Sequence, residues 1–159
     1  MGNSMKNSGR EWISIAMRCA LIAFCLSALQ SVAAQERSYV NPSSPGRSGS
    51  PFSGAVLTDN TVYISGMLGL ENGEVPAEPA DEARNVLDAI KGTLEDAGMT
   101  MDDLVYVQIF CSDVSHYASF NEVYRTYFTQ EFPARAFVGA GTLLFDARFE
   151  IQAIAVKRP

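Results

Sequence analysis

The sequence predicts an α+β domain of order β-β-α-β-α-β-β, with both helices on one face of a mixed sheet. Three observations lead there. Five runs rich in β-branched and aromatic residues are bounded by turn residues, and two stretches between them carry apolar residues at helical spacing. The chain has 159 residues, 47% hydrophobic and 19% charged, which suits one globular domain with a real core. No internal repeat and no long acidic or basic block interrupts the pattern.

The first 34 residues read as a signal peptide. Lys6, Arg10 and Arg18 form a basic leader, "CALIAFCLSAL" (19–29) is an apolar run too short to span a bilayer, and "SVAAQ" offers small residues for cleavage after Ala34. The expected destination is export, periplasmic or secreted, with no membrane association after cleavage. Removal would take three of the 12 basic and one of the 18 acidic side chains, moving the net charge from −6 to −8. Of the three cysteines it would leave Cys111 alone, so the mature fold could form no internal disulfide.

Residues 35–50, "QERSYVNPSSPGRSGS", are Ser-, Pro- and Gly-rich and read as a flexible lead-in to a domain at 51–159. Two β-rich runs in "GAVLTDNTVYISGMLGL" flank Asp59-Asn60, a pair suited to a tight hairpin, and "ENGEVP" (71–76) is turn-rich. A helix follows, because Ala83, Val86, Leu87, Ile90, Leu94 and Ala97 form one apolar stripe. Pro79 and Asp81 suit its first turn and Gly98 its C-terminal cap. "LVYVQIFCSD" is a strand apolar on both faces. A second helix runs from about Ser115 with Phe120, Val123, Tyr124, Tyr127 and Phe128 on one side, limited by Pro133. "ARAFVGAG" and "ARFEIQAIAVKR" complete the set of strands. Helices on one face leave the other open, yet these strands are apolar on both sides. Copies of the same chain would supply the missing cover, so a homo-oligomer is expected.

The inventory for chemistry is short. His116 is the single histidine and has no partners at ligand spacing, so no metal site is expected. No phosphate loop, GxGxxG, CxxC or nucleophile elbow is present, which points to no cofactor. Basic residues do not cluster, which argues against nucleic acid. Cys111 and the aromatic stripe of the second helix read as core. Two charges in strands remain, Arg135 and Glu150, which an antiparallel pairing could bring to the same end of the sheet. Both also suit an exposed strand edge, and residue type alone leaves the two readings open.

The order of several short segments adds to this. "YISG" (63–66), "NGEVP" (72–76), "ARNVLDAIKGTLEDAG", "FNEVYRTYF" (120–128), "FPAR" (132–135) and "EIQAIAV" (150–156) together resemble the RidA (YjgF) family of reactive-intermediate deaminases, over residues 51 to 157. The resemblance implies a chorismate-mutase-like fold, a homotrimer with sheets facing inward, and a pocket at each subunit interface. It implies hydrolysis of amino-acid-derived enamines or imines to a 2-keto acid and ammonia, with a small imino or keto acid as partner. It makes Arg135 the anchor for the substrate carboxylate and Glu150 the group that positions a water. Asn121, Ser65 and Gly66 match pocket positions. Three residues depart from the family pattern and are expected to line the same pocket. Phe52 stands where a Tyr is usual, Met67 where Gln is usual, and Phe137 where a small residue is usual. On a strand, 135 and 137 share a face, so Phe137 is expected beside the Arg. A binding-only or holdase-like trimer using the same clefts is the alternative function.

Overall fold

A computed structural model describes residues 36–40 and 51–158 of the chain. The expected signal peptide and cleavage site, and residues 41–50 of the lead-in, lie outside the described residues. The elements are β1 (Arg37–Val40), β2 (Ala55–Thr58), β3 (Thr61–Leu68), α1 (Pro79–Asp96), β4 (Leu104–Cys111), α2 (Tyr117–Tyr124), β5 (Ala134–Gly139) and β6 (Phe149–Val156). They form a six-stranded mixed sheet of order β1-β2-β3-β6-β4-β5. The expected α+β class holds, with one strand more than the sequence pattern shows.

That extra strand corrects the lead-in. Arg37–Val40 is not a loop but pairs antiparallel with β2, Arg37 opposite Thr58 and Val40 opposite Ala55. Ladder hydrogen bonds on an open edge hold it, since only Val40 packs against the core.

The helices follow from their caps and stripes. Pro79 opens α1 with its φ already fixed, and Asp81 and Glu82 sit in the first turn, where the helix dipole favours acids. Gly98, at φ 69, ends it, with the Met99 N–H donating back to the Leu94 carbonyl at 2.8 Å. Val86, Leu87, Ile90 and Leu94 are buried on the sheet. Each such side chain contributes about 1.5–3 kcal/mol. Ahead of α1, Asn72 and Gly73 both take positive φ and close a two-residue turn between Glu71 and Glu74.

One buried ion pair ties these parts together. Glu82 is completely buried and accepts from the backbone N–H groups of Arg148 (2.6 Å) and Phe149 (3.0 Å) and from Arg148 Nη1 (2.8 Å). The Arg148 guanidinium also donates to the carbonyls of Pro76 and Ala77. The loop before α1 is thereby clamped to the start of β6. Gly69 makes room for this contact, because a Cβ there would lie 2.1 Å from the Glu82 carbonyl oxygen.

The strand order matters for the site. β5 runs parallel to β4 at the sheet edge, as a β-α-β crossover through α2 allows, while β6 inserts between β3 and β4. Strands β5 and β6 are therefore not neighbours. The pairing that could have brought Arg135 and Glu150 to the same end of the sheet does not form.

Candidate active site

Arg135 is held from α2. Asp113 starts the approach by accepting from the Ser115 N–H at 2.8 Å, and a 3-10 turn over Val114–His116 leads into the helix. Phe120 and Val123 turn into the core. Tyr117, Asn121 and Tyr124, at i, i+4 and i+7, turn toward β5. Arg135 Nη1 donates to Asn121 Oδ1 at 2.7 Å. The guanidinium carbon lies 4.7 Å from the Tyr124 ring centre and 5.8 Å from that of Tyr117, within cation–π range of both. Burial pushes the Tyr124 hydroxyl up to about 12, against the opposing pull of Arg135, so its ring stays neutral beneath the cation. These residues line a pocket of about 240 Å3 with Arg125, Phe132 and Pro133.

Glu150 lies elsewhere. β6 alternates, with Phe149 and Ile151 buried on the helix side and Phe149 packed on Phe120 at 4.8 Å between ring centres. Glu150 therefore points to the other face of the sheet. Its carboxylate lies over Gly66, where a Cβ would sit 2.1 Å from Glu150 Oε1. Ser65 anchors the neighbouring segment, its Oγ donating to the Ser53 carbonyl at 2.6 Å and its N–H to that of Gly54 at 3.0 Å. Phe52, adjoining that segment, is 55% exposed.

Two of the expected pocket residues are placed differently. The β3–β6 register advances three positions from Ile64 to Met67 against two from Ala153 to Ile151. This bulge breaks the alternation, and Met67 turns into the helix side, half-buried against the core with its Sδ 4.0 Å from Thr93 Oγ1. It lines neither group. Phe137 shares the helix side with Arg135, as expected, yet it does not line the pocket. Its ring packs edge-on against Tyr117 at 5.0 Å and Phe120 at 5.6 Å, so it backs the wall rather than forming it.

The sequence-derived site thus divides into two parts. Arg135 and Asn121 stand on the helix side; Glu150, Gly66 and Ser65 with the adjoining Phe52 belong to the opposite side. Arg135 is opposite Val107 on β4, and Glu150 is opposite Phe110, three residues along and facing the other way. Strand geometry separates their Cα atoms by roughly 14 Å. One subunit cannot place both groups on one small molecule.

The family model described as Endoribonuclease L-PSP matches residues 43–157. The chain belongs to this family. Its relatives in the L-PSP, or RidA/YjgF, family include the 2-iminobutanoate/2-iminopropanoate deaminase of Bos taurus. That protein is 40% identical over 112 residues, covering 69% of this chain and 82% of the relative. The YjgF gene product of Escherichia coli superposes with a TM-score of 0.67 at 34% identity, covering 76% of this chain and all of that one. RidA from an Antarctic Psychrobacter superposes at 0.65 with 33% identity, over 70% and 92% of the two chains.

Tyr124 is buried in the core with Phe120 and Val123, as its helical spacing predicts, and sequence reasoning missed only that its ring also supports the Arg135 guanidinium. The available signal was Asn121 on the same face as Tyr117 and Tyr124, an amide among aromatics one turn apart. Cys111 is the buried small hydrophobe expected of it, donating to the Asp113 carbonyl, and burial pushes its thiol up. His116 is half-buried with its ring edge-on to Phe149. Among the described residues, no group of three or more His, Cys, Asp or Glu is arranged to hold a metal.

Proposed function

We propose that the protein hydrolyses imines and enamines derived from amino acids, giving a 2-keto acid and ammonia, at sites shared between subunits of a homotrimer. The observation that carries this reading is the state of Arg135. Asn121 fixes one arm of the guanidinium and Tyr124 supports its face, while the cation lines an open pocket. A planar fork held this way matches a substrate carboxylate. Family relatives named as imine deaminases point to the same substrate class.

The reaction asks for positioning more than for strong chemistry. The iminium carbon is already electrophilic. Glu150 from a second subunit orients a water and takes its proton as the oxygen bonds to that carbon. Glu150 returns that proton to the carbinolamine nitrogen, the C–N bond breaks, and ammonia leaves as the hydroxyl oxygen forms the C=O and releases its proton to solvent. The open sheet face supports the trimer, since Tyr63, Tyr106 and Ile154 lie together on it around a shallow pocket.

Protein from Gln35 onward should accelerate ammonia release from imines generated in situ by an amino-acid oxidase. No acceleration with any imine tried would overturn the reading. One observation favours a binding-only alternative. A lone subunit presents the anion cradle on one face and the carboxylate on the other, so without the correct assembly it can hold a keto acid but not hydrolyse an imine.

A further inference from the structure

The pocket around Arg135 contains a second guanidinium that the proposed reaction leaves unused. Arg125 directly follows α2, eight residues after Tyr117 and four after Asn121, so it extends the same helical face that carries the cradle. None of the seven residues lining this pocket is a carboxylate, and two are arginines. Among the described residues, Arg125 lies in no ion pair.

The contrast with the larger groove on the helix side is informative. That groove, about 590 Å3, also holds three cations, Arg84, Lys91 and Arg158. Each is matched by an acid, Asp81, Glu95 and Asp103 respectively. Its charges are met within the subunit. In the smaller pocket, Arg135 is partly engaged by a neutral amide and Arg125 by no acid. A substrate with one carboxylate would neutralise Arg135 alone.

We infer that Arg125 recognises a second anionic group on the ligand, so that the pocket selects imines of dicarboxylic amino acids. The α-carboxylate lies on Arg135, the side-chain carboxylate reaches Arg125, and the methylenes between them cross the apolar surface of Tyr124 and Phe132. This selectivity rests on the imine-hydrolase reading for its reaction, but not for its binding. The protein's own net charge of −6 opposes a dianion at long range, so a preference for one must come from a local site.

Calorimetry with 2-oxoglutarate and 2-oxobutyrate, which share the keto-acid head and differ in the second carboxylate, tests this directly. Wild-type protein should bind 2-oxoglutarate at least about tenfold more tightly, as expected for one added charge-assisted contact. Arg125→Gln should bring that ratio close to one, and Arg125→Lys should keep part of it. The ratio of kcat/KM for the imines of glutamate and 2-aminobutyrate, made in situ by oxidases, should follow the same order. A wild-type preference for the monocarboxylate, or a ratio unmoved by Arg125→Gln, overturns the inference while leaving imine hydrolysis intact. An Arg125-dependent binding ratio without turnover of either imine upholds the second anion site and instead removes the hydrolase reading.

Discussion

At the scale of single residues, the proposed anchoring and water handling are separable because Arg135 and Glu150 sit on different faces. Arg135→Ala should abolish imine hydrolysis and leave the subunit folded, since the guanidinium lines a surface pocket rather than the core. Loss of such a contact costs roughly 2–5 kcal/mol, about thirtyfold to several thousandfold in rate. Arg135→Lys should also largely fail, because an ammonium cannot reproduce the paired donors or lie flat on Tyr124. Glu150→Gln should keep keto-acid binding and lower kcat, and steady-state kinetics with product-binding measurements distinguish the three. Unchanged kinetics in all three would refute both roles. Arg135 and Glu150 stood out as candidates because short ordered segments carried them. Met67 was misplaced because a bulge leaves no mark in an alternation pattern until pairing partners are known. Phe137 was put on the correct face, but its rotation onto Tyr117 depends on a helix twenty residues away.

At the scale of elements, the Glu82–Arg148 clamp fixes where β6 begins, and hence where Glu150 points. Glu82→Ala would leave the half-buried Arg148 and two backbone N–H groups without their acceptor. Removing one partner of a buried pair costs about 3–5 kcal/mol, which chemical denaturation can read. A loss below about 1 kcal/mol would show the clamp to be dispensable. The other end of β6 is held by an acid as well. Burial alone would raise Asp103, but donation from the Thr100 N–H, Arg158 Nε and Thr100 Oγ1 holds it below its ordinary value of 3.8. A carboxylate depressed in the folded state stabilises above its unfolded pKa and loses that contribution as pH falls through the folded one. Thermal midpoints should therefore drop more steeply below about pH 4 in the wild type than in Asp103→Asn. Equal slopes would remove Asp103 from the acid response. Both acids were invisible to pattern reading, since a carboxylate in a helical first turn reads as a dipole partner. β1 was hidden similarly, its four residues lost in a Ser- and Pro-rich stretch that composition marks as loop.

At the scale of the whole molecule, apolar residues on both faces of β4 and β6 already spoke for a covered sheet, which is why an oligomer was expected from sequence. The division of Arg135 and Glu150 between faces was not legible, because it depends on β6 inserting between β3 and β4. The division itself gives a sharp test of the proposed trimer. Arg135→Ala subunits retain Glu150, and Glu150→Gln subunits retain Arg135. Equal amounts of the two, refolded together, should recover about a quarter of wild-type activity, because each shared site draws its two groups independently. Light scattering of the same mixture should give three times the subunit mass. Activity no greater than the average of the separate variants would exclude a shared site.

The placement of the two charged groups on opposite sides of one sheet also bears on how the proposed assembly responds to its own ligand. A lone subunit can hold a keto acid at Arg135, but one that also touches the Glu150 neighbourhood of another copy is bound more tightly by the associated state. By mass action it then acts as a cohesive agent between subunits, with an upper bound of about 2.7 kcal/mol at a hundred times its dissociation constant, less whatever the lone subunit's own binding offsets. Dilution of the protein and withdrawal of ligand then both favour dissociation. The melting temperature should rise with either concentration, and a subunit diluted away from its neighbours should lose affinity along with turnover.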